Sequence, residues 1–209
     1  MRGLLAVALA KRVGECLTLH MAREIVAESV PDCAVDIAQL PARRRGDLLF
    51  QAEQLGPLPG SGELAAQRLR FLQETLPAGV QPDVQWDELR QLERSGQLLI
   101  LTIRRAASGE LLGSVWLSLY QDINTGERVA CDDMLFVEQG ARGGMAVVQL
   151  WRYAEVVLEQ LGLVQMTCHS RETNNAGRLA RFLGGQITHT GFSKRIGCGQ
   201  KRAPRAGKD

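Results

Sequence analysis

Near residue 140 the spacing of apolar residues changes from strand-like to helix-like, and this change limits the folds that the chain can adopt. Before it, apolar residues form unbroken or alternating runs at 98–104, 111–120 and 128–137, separated by short polar turns. Such runs are typical of strands. Because short turns join antiparallel neighbours, the three segments predict an antiparallel three-strand meander.

After residue 146 the apolar side chains recur every three to four residues. They are Val147, Leu150, Trp151, Ala154, Val157, Leu158 and Leu161. This period predicts an amphipathic helix, which Gly162 is expected to end. A strand over 163–168 then has to run parallel to its neighbour, because a helix crosses over between them. A helix over 173–183 and a last strand or hairpin over 186–196 follow.

The first half of the chain contains shorter and less regular patterns. Residues 23–30 and 33–40 predict short strands, and residues 40–55 predict a helix with a basic first turn. Two further helices are predicted over 63–76 and 86–95, where leucines recur at helical spacing and Pro or Gly follows.

Composition and charge limit the class of protein. With 209 residues, 45% of them hydrophobic, the chain can bury one substantial core. A net charge of +2 gives no strong field toward nucleic acid or a membrane surface. Arg43, Arg44 and Arg45 with the basic tail leave nucleic-acid binding as an alternative, which the 5% aromatic content disfavours. No stretch approaches the about 20 apolar residues of a membrane-spanning helix.

The five cysteines are far apart in the sequence and form no CxxC pair. They are Cys16, Cys33, Cys131, Cys168 and Cys198. This spacing predicts neither a zinc site nor a disulfide framework, so we expect no bound metal. Reduced cysteines are typical of the cytoplasm, which is the expected location.

The pattern divides the chain into three parts. Residues 1–22 are expected to be an N-terminal extension, either a frayed helix or sequence upstream of a start at Met21. Residues 23–196 are expected to form the folded domain, with 97–196 as its core. Residues 197–209 are basic and are expected to be disordered.

Gly140, Gly143 and Gly144 lie in the loop between the last meander strand and the amphipathic helix. A helix N-terminus leaves its first backbone N–H groups without partners, and adjacent glycines let an anion approach them closely. Arg142 adds a positive charge. Taken alone, the loop fits either a phosphate-binding site or a simple turn.

The order of elements over residues 97–196 resembles that of the GNAT N-acetyltransferase superfamily. RGGMA resembles the acetyl-CoA loop of that family, written Q/R-x-x-G-x-G/A. Gly144 and Ala146 fit its second half, whereas Arg142 is one residue late.

A second segment, NNAGRLARFLGG, resembles the later family motif N-x-x-A-x-x-L-Y-x-x-x-G-F. Ala176 is in place and Asn174 is shifted by one residue. Ala180 stands where tyrosine is common, and Gly185 stands where phenylalanine is common. Ala180 cannot give a proton to a leaving thiolate, which puts catalytic efficiency in doubt but not the cofactor site.

The resemblance implies an α/β (α+β) fold with a mixed, mostly antiparallel central sheet flanked by helices. It also implies that the fourth and fifth strands, here 128–137 and 163–169, splay apart to admit acetyl-CoA. The expected cofactor-binding residues are Phe136, Val137, Arg142, Gly143, Gly144, Met145 and Ala146, together with Asn174, which fits a plain helix cap equally well.

Direct acetyl transfer to an amine needs a group that takes a proton, because a free amine of the lysine type has a pKa of about 10.4. Asp132 and Asp133 lie inside an otherwise apolar strand, where an unpaired charge is costly. One of them is therefore expected to face a polar cleft, and His169 is the third candidate base. Simple alternation puts Asp132 on the face of Met134 and Phe136, although a bulge would invert this phase.

The expected function is acetyl-CoA-dependent N-acetyl transfer to a primary amine of an unidentified acceptor, either a small molecule or a protein. The alternative is a GNAT-fold protein that binds acyl-CoA, or takes part in an interaction, with weak or no turnover. A homodimer is kept open. An N–H near Phe136 or Val137 is expected to stabilise the charge on the thioester oxygen.

Replacing Gly144 with valine is predicted to weaken acetyl-CoA binding while the protein still folds, because the side chain would fill the space that an anion needs. Calorimetric titration measures the affinity, and circular dichroism checks the folding. Unchanged affinity in a folded variant would show that the glycines only turn the chain.

Overall fold

A computed structural model describes residues 35–56, 60–77, 79–142, 145–169 and 176–186, together with residues 7, 9–16, 18, 21, 22 and 25. The predicted strand over 23–30 falls almost entirely outside these residues, and Ile25, the one residue of it described, is helical. The predicted last strand or hairpin lies outside them beyond Gln186. Among the described helices, none has the length and apolar character needed to cross a membrane.

Six strands form one sheet, in which each strand lies beside its neighbours in sequence. All neighbouring strands are antiparallel except the last pair, which is parallel. This arrangement confirms the mixed, mostly antiparallel sheet and the three-strand meander. The strands are β1 (Arg43–Arg45), β2 (Leu48–Glu53), β3 (Leu98–Arg105), β4 (Leu111–Gln121), β5 (Arg128–Val137) and β6 (Gln165–Thr167).

Helices cover both faces of the sheet. They are α1 (Gly62–Thr75), α2 (Trp86–Arg94), α3 (Ala146–Gln160) and α4 (Ala176–Phe182). α1 and α2 pack on one face and α3 packs on the other, so the molecule has three layers. The helices predicted over 63–76, over 86–95 and from residue 147 onward are confirmed.

Two apolar clusters fill the spaces between the layers. On the α3 face, Leu150, Ala154 and Val157 pack against side chains of β3 and β4 such as Leu101 and Leu117. On the opposite face, side chains of α1 and α2 pack against the sheet around Trp116. The unbroken apolar run of β3 is thus explained, because both of its faces are covered.

The predicted helix over 40–55 is wrong. The segment forms the β1–β2 hairpin, in which Gly46 turns the chain at φ +61°. β2 then pairs along its whole length with β3, from Leu48 opposite Arg105 to Glu53 opposite Ile100. An available strand edge gives this segment backbone and side-chain partners, and this tertiary context overrides its local helix preference.

The predicted strand over 33–40 is also wrong where it is described. Residues Ile37–Gln39 form one turn of 3-10 helix. The Asp36 carboxylate accepts a hydrogen bond from the Ala38 N–H at 3.2 Å, which bends the backbone locally.

Gly113 allows β4 and β5 to approach each other closely. A Cβ at this position would lie 2.8 Å from the Phe136 carbonyl oxygen and 3.0 Å from Val137 Cγ2. Because the nearest atom belongs to the backbone, the strands would have to move apart to accept a larger residue.

Gly113→Ala is therefore predicted to destabilise the fold by about 1–3 kcal/mol, the usual cost of overpacking. Gly140→Ala is the matched control, because a Cβ there meets nothing within 4 Å. Urea unfolding measures both variants. Equal stability of the two would contradict the close approach of β4 and β5.

Candidate cofactor and catalytic site

β5 and β6 separate shortly after they meet. Val129, Ala130 and Cys131 pair with residues 165–167, and β6 ends there while β5 continues to Val137. Within the described part of the chain, the edge of β5 over residues 132–137 that faces away from β4 has no strand beside it. This confirms the splay expected of these strands, which are the fifth and sixth here.

The register of β5 determines which backbone groups face this opening. Glu138 donates its N–H to the Leu112 carbonyl oxygen at 2.8 Å, so residue 138 faces β4. Consecutive residues of a strand direct their N–H and C=O groups to opposite sides. Leu135 and Val137 therefore direct these groups toward the opening, and Phe136 directs them toward β4. Of Phe136 and Val137, only Val137 has an N–H on the open edge.

α3 begins at Ala146, just beyond the glycine loop, with Met145 at its N-cap position. The Met145 side chain makes no capping hydrogen bond, and the first turn contains no acidic residue. The positive end of the helix dipole is thus not neutralised by the helix itself, which is the arrangement that binds an anion. Gly143 and Gly144 of this loop lie outside the described residues.

Arg142 links the loop to β5 and α1 through its side chain. Its Nε donates to the Val137 carbonyl oxygen at 2.7 Å, and its Nη2 lies 2.9 Å from both carboxylate oxygens of Glu74 on α1. Its guanidinium also lies 5.0 Å from the centre of the Phe136 ring. The positive charge predicted for the loop is therefore partly offset by Glu74.

α1 makes three ion pairs with β5 and the loop after it. Arg68 Nη1 lies 2.6 Å from Asp133 Oδ2, Arg70 Nη2 lies 2.7 Å from Glu138 Oε1, and Glu74 binds Arg142. These α1 residues were not among the predicted site residues. Arg68 is the one that the sequence could have indicated, because it interrupts the apolar face of the helix.

A buried polar chain reinforces this contact. Gln67 of α1 and Ser114 of β4 are fully buried, and the Ser114 hydroxyl donates to Gln67 Oε1 at 2.5 Å. Trp116 Nε1 donates to the Ser114 hydroxyl at 3.1 Å, and Gln67 Nε2 donates to Glu138 Oε1 at 3.0 Å. Because these buried groups are hydrogen-bonded, the chain fixes α1 against β4 and the end of β5.

Asp133 is the extra residue of a β-bulge. Leu117 lies opposite Asp132 and Trp116 lies opposite Met134, so Asp133 has no residue opposite it on β4. The side chain of Asp133 is 39% exposed and pairs with Arg68 of α1, whose own side chain is 11% exposed.

The bulge places Asp132 on the opposite face from Met134. Asp132 shares the face of Leu117, which packs with α3, whereas Met134 packs with the α1 and α2 cluster. The expectation from simple alternation is therefore wrong, and the alternative in which a bulge inverts the phase is confirmed.

Asp132 and His169 meet where β5 and β6 part. The Asp132 side chain is 9% exposed, and its Oδ1 accepts a hydrogen bond from the His169 backbone N–H at 2.7 Å. His169 Nδ1 lies 3.2 Å from the same oxygen. Burial raises the pKa of Asp132, although the hydrogen bonds and charge of His169 partly oppose this shift.

Cys131 completes a cluster of three side chains at this point. Its Sγ lies 3.5 Å from His169 Nδ1. Burial, with the nearby charges of Asp132 and Asp133, raises the pKa of the Cys131 thiol to about 11. Without a bound cation this cysteine is therefore a neutral thiol at neutral pH.

Solved structures provide an independent comparison for this architecture. The chain superimposes on a ribosomal-protein-alanine N-acetyltransferase from Brucella melitensis biovar Abortus 2308 with TM-score 0.57 and 16% identity, covering 72% of this chain and 98% of that one. An acetyltransferase from Trypanosoma brucei gives TM-score 0.53 and 16% identity, with 72% and 100% coverage. The chain has the GNAT fold.

A third GNAT-fold match is an aminoglycoside acetyltransferase from an uncultured soil metagenomic sample, solved with sisomicin. It gives TM-score 0.56 and 12% identity, and covers 71% of this chain and 97% of that one. No protein-family model and no curated protein matches the sequence. The GNAT assignment therefore rests on structure and describes the fold.

Not every predicted residue can be located in this GNAT fold. Asn174 lies outside the described residues. Ala180 lies in α4, as the motif predicted. Tyr153 is buried on α3 beside Phe50, three strands away from β5, and burial raises the pKa of its hydroxyl to about 12. Tyr120 lies at the outer end of β4, opposite Val129.

Proposed function

We propose that this chain is an acetyl-CoA-dependent N-acetyltransferase that transfers the acetyl group directly to a primary amine. The observation that most supports the proposal is the separation of β5 from β6 after residue 131, which leaves a strand edge open beside the N-terminus of α3. An extended ligand with amide groups and a pyrophosphate matches both features at once.

The pantetheine arm of acetyl-CoA would pair with the open edge of β5 as an added strand does. Leu135 and Val137 direct N–H groups to this edge, and the Val137 N–H is the proposed donor to the thioester oxygen. The pyrophosphate would then lie at the start of α3. The proposed cofactor-binding residues are Phe136, Val137, Arg142, Gly143, Gly144, Met145 and Ala146, with Asn174 beside the arm.

The transfer forms a carbon–nitrogen bond and breaks the thioester carbon–sulfur bond. The amine nitrogen attacks the carbonyl carbon, a proton passes from the amine to a protein group, and CoA leaves as a thiolate. The Asp132–His169 pair is the proposed acceptor of this proton, because both groups lie where the strands part. Asp133 remains a candidate, but its pairing with Arg68 disfavours it.

The second candidate function is acyl-CoA binding with weak or no turnover. Ala180 favours it, because no hydroxyl at this position can protonate the CoA thiolate. Water then has to supply the proton. The amine acceptor, a cytoplasmic location and a homodimer remain predictions from the sequence.

Met145→Glu is predicted to weaken acetyl-CoA binding by roughly tenfold. Two unit charges about 4 Å apart interact by about 1 kcal/mol in water, and pyrophosphate has more than one charge. The same carboxylate at a helix N-terminus favours the helix by about 0.3–1 kcal/mol, so the variant should be at least as stable as the parent. Calorimetric titration and thermal unfolding measure the two effects.

Met145→Gln is the matched control, because it has nearly the same size and no charge. It should bind acetyl-CoA as the parent does, and its difference from Met145→Glu should shrink at high salt. Equal affinity of the two variants for acetyl-CoA would contradict the proposal that the pyrophosphate binds at the start of α3.

Asp132→Asn is predicted to lower kcat by about 10²–10⁴-fold at saturating acetyl-CoA. Asparagine still accepts the hydrogen bond from the His169 N–H, but it cannot take a proton. Turnover is measured as CoA release with a panel of primary amines, and acetyl-CoA affinity should be unchanged. Asp133→Asn should have the smaller effect, and the reverse order would make Asp133 the base.

A further inference from the structure

Cys131, Asp132 and His169 bring three different ligand types to one point. One oxygen, one nitrogen and one sulfur atom of these residues lie within 4.8 Å of one another. The sequence alone does not suggest this cluster, because His169 comes 37 positions after Asp132. The parallel pairing of Cys131 with Thr167 brings His169 beside them.

Two of the three separations within the cluster match those of a tetrahedral zinc site. With Zn–S about 2.3 Å, Zn–N about 2.0–2.1 Å and Zn–O about 2.0–2.2 Å, tetrahedral angles give S···N of about 3.6 Å and N···O of about 3.4 Å. The observed Cys131 Sγ to His169 Nδ1 distance is 3.5 Å, and the His169 Nδ1 to Asp132 Oδ1 distance is 3.2 Å.

The geometry argues against a nucleophilic triad made of the same residues. In such a triad the acid and the nucleophile bind two different nitrogens of the histidine ring. Here Nδ1 alone faces both the Cys131 sulfur and the Asp132 carboxylate. A single nitrogen cannot relay a proton between the cysteine and the aspartate. It can, however, bind a cation that the sulfur and the carboxylate also bind.

We propose that Cys131, Asp132 and His169 form a zinc-binding site with its fourth coordination position open to solvent. Thiolate, imidazole and carboxylate together are a ligand set that suits Zn²⁺. His169 is 64% exposed, so the ion can enter from solvent and keep a water as its fourth ligand. Binding releases the Cys131 thiol proton to solvent as the sulfur bonds to the metal.

Zinc at this site would inhibit acetyl transfer, a consequence that rests on the proposed function. The ion would bind both Asp132 and His169, which are the proposed proton acceptors. It would leave the open edge at Leu135 and Val137 unchanged. Zinc should therefore lower turnover while acetyl-CoA affinity stays the same.

The site is tested by titrating the metal-free full chain with Zn²⁺ against a chromophoric chelator. We expect one zinc per chain, and Cys131→Ser should weaken its affinity by at least about tenfold, the lower end of the loss caused by removing even an outer-shell partner. Cys16→Ser is the control, because Cys16 is an exposed cysteine outside the cluster. It should bind zinc as the parent does.

Cobalt absorption is a second test of metal binding, and it does not depend on enzyme activity. Co²⁺ bound to the parent should show the near-ultraviolet thiolate-to-cobalt absorption, and Cys131→Ser should lose it while Cys16→Ser retains it. His169→Gln and Asp132→Asn should each weaken zinc binding. Absence of zinc binding to the parent, or equal affinity in Cys131→Ser, would overturn the site. Zinc binding without any acetyltransferase activity would support the site and count against only the proposed function.

Discussion

β5 and β6 are joined by a parallel contact of three residue pairs, and the position of that contact decides where the sheet opens. Beyond it, Leu135 and Val137 direct backbone groups to an edge that no described strand covers. Where the contact ends, Cys131 and Asp132 lie beside His169, which follows β6. The proposed zinc site therefore lies at the end of this contact, and the proposed cofactor site lies further along β5.

An open strand edge is also a risk to a protein, because it can pair with another chain. In this molecule α1 holds β5 in place from the sheet face. Arg68, Arg70 and Glu74 form ion pairs with β5 and its loop, and the buried Gln67–Ser114 hydrogen bond fixes the helix to β4. Exposed ion pairs contribute little on their own. The buried Gln67–Ser114 hydrogen bond, and the hydrogen bond that Trp116 Nε1 donates to Ser114, therefore matter more to this attachment.

The sequence was sufficient to predict the meander strands and the helix that follows them, because their apolar periods are long and regular. It was not sufficient for residues 40–55, where pairing with β3 outweighs local preference. As catalytic residues, Asp132, Asp133 and His169 stay predictions, and the geometry around them depends on the bulge at Asp133, which no local pattern predicts. The Cys131–Asp132–His169 cluster depends on the register of a parallel pair, and cysteine spacing cannot reveal it. Gly143, Gly144 and Asn174 stay predictions.

Amide hydrogen exchange with and without acetyl-CoA tests the central proposal most directly. If the cofactor lies along β5 as an added strand, the amides of Leu135 and Val137 should exchange more slowly when acetyl-CoA is bound. The amide of Phe136 already faces β4 and should change little, and so should β1 at the far side of the sheet. Binding of acetyl-CoA without protection of Leu135 and Val137 would contradict the account.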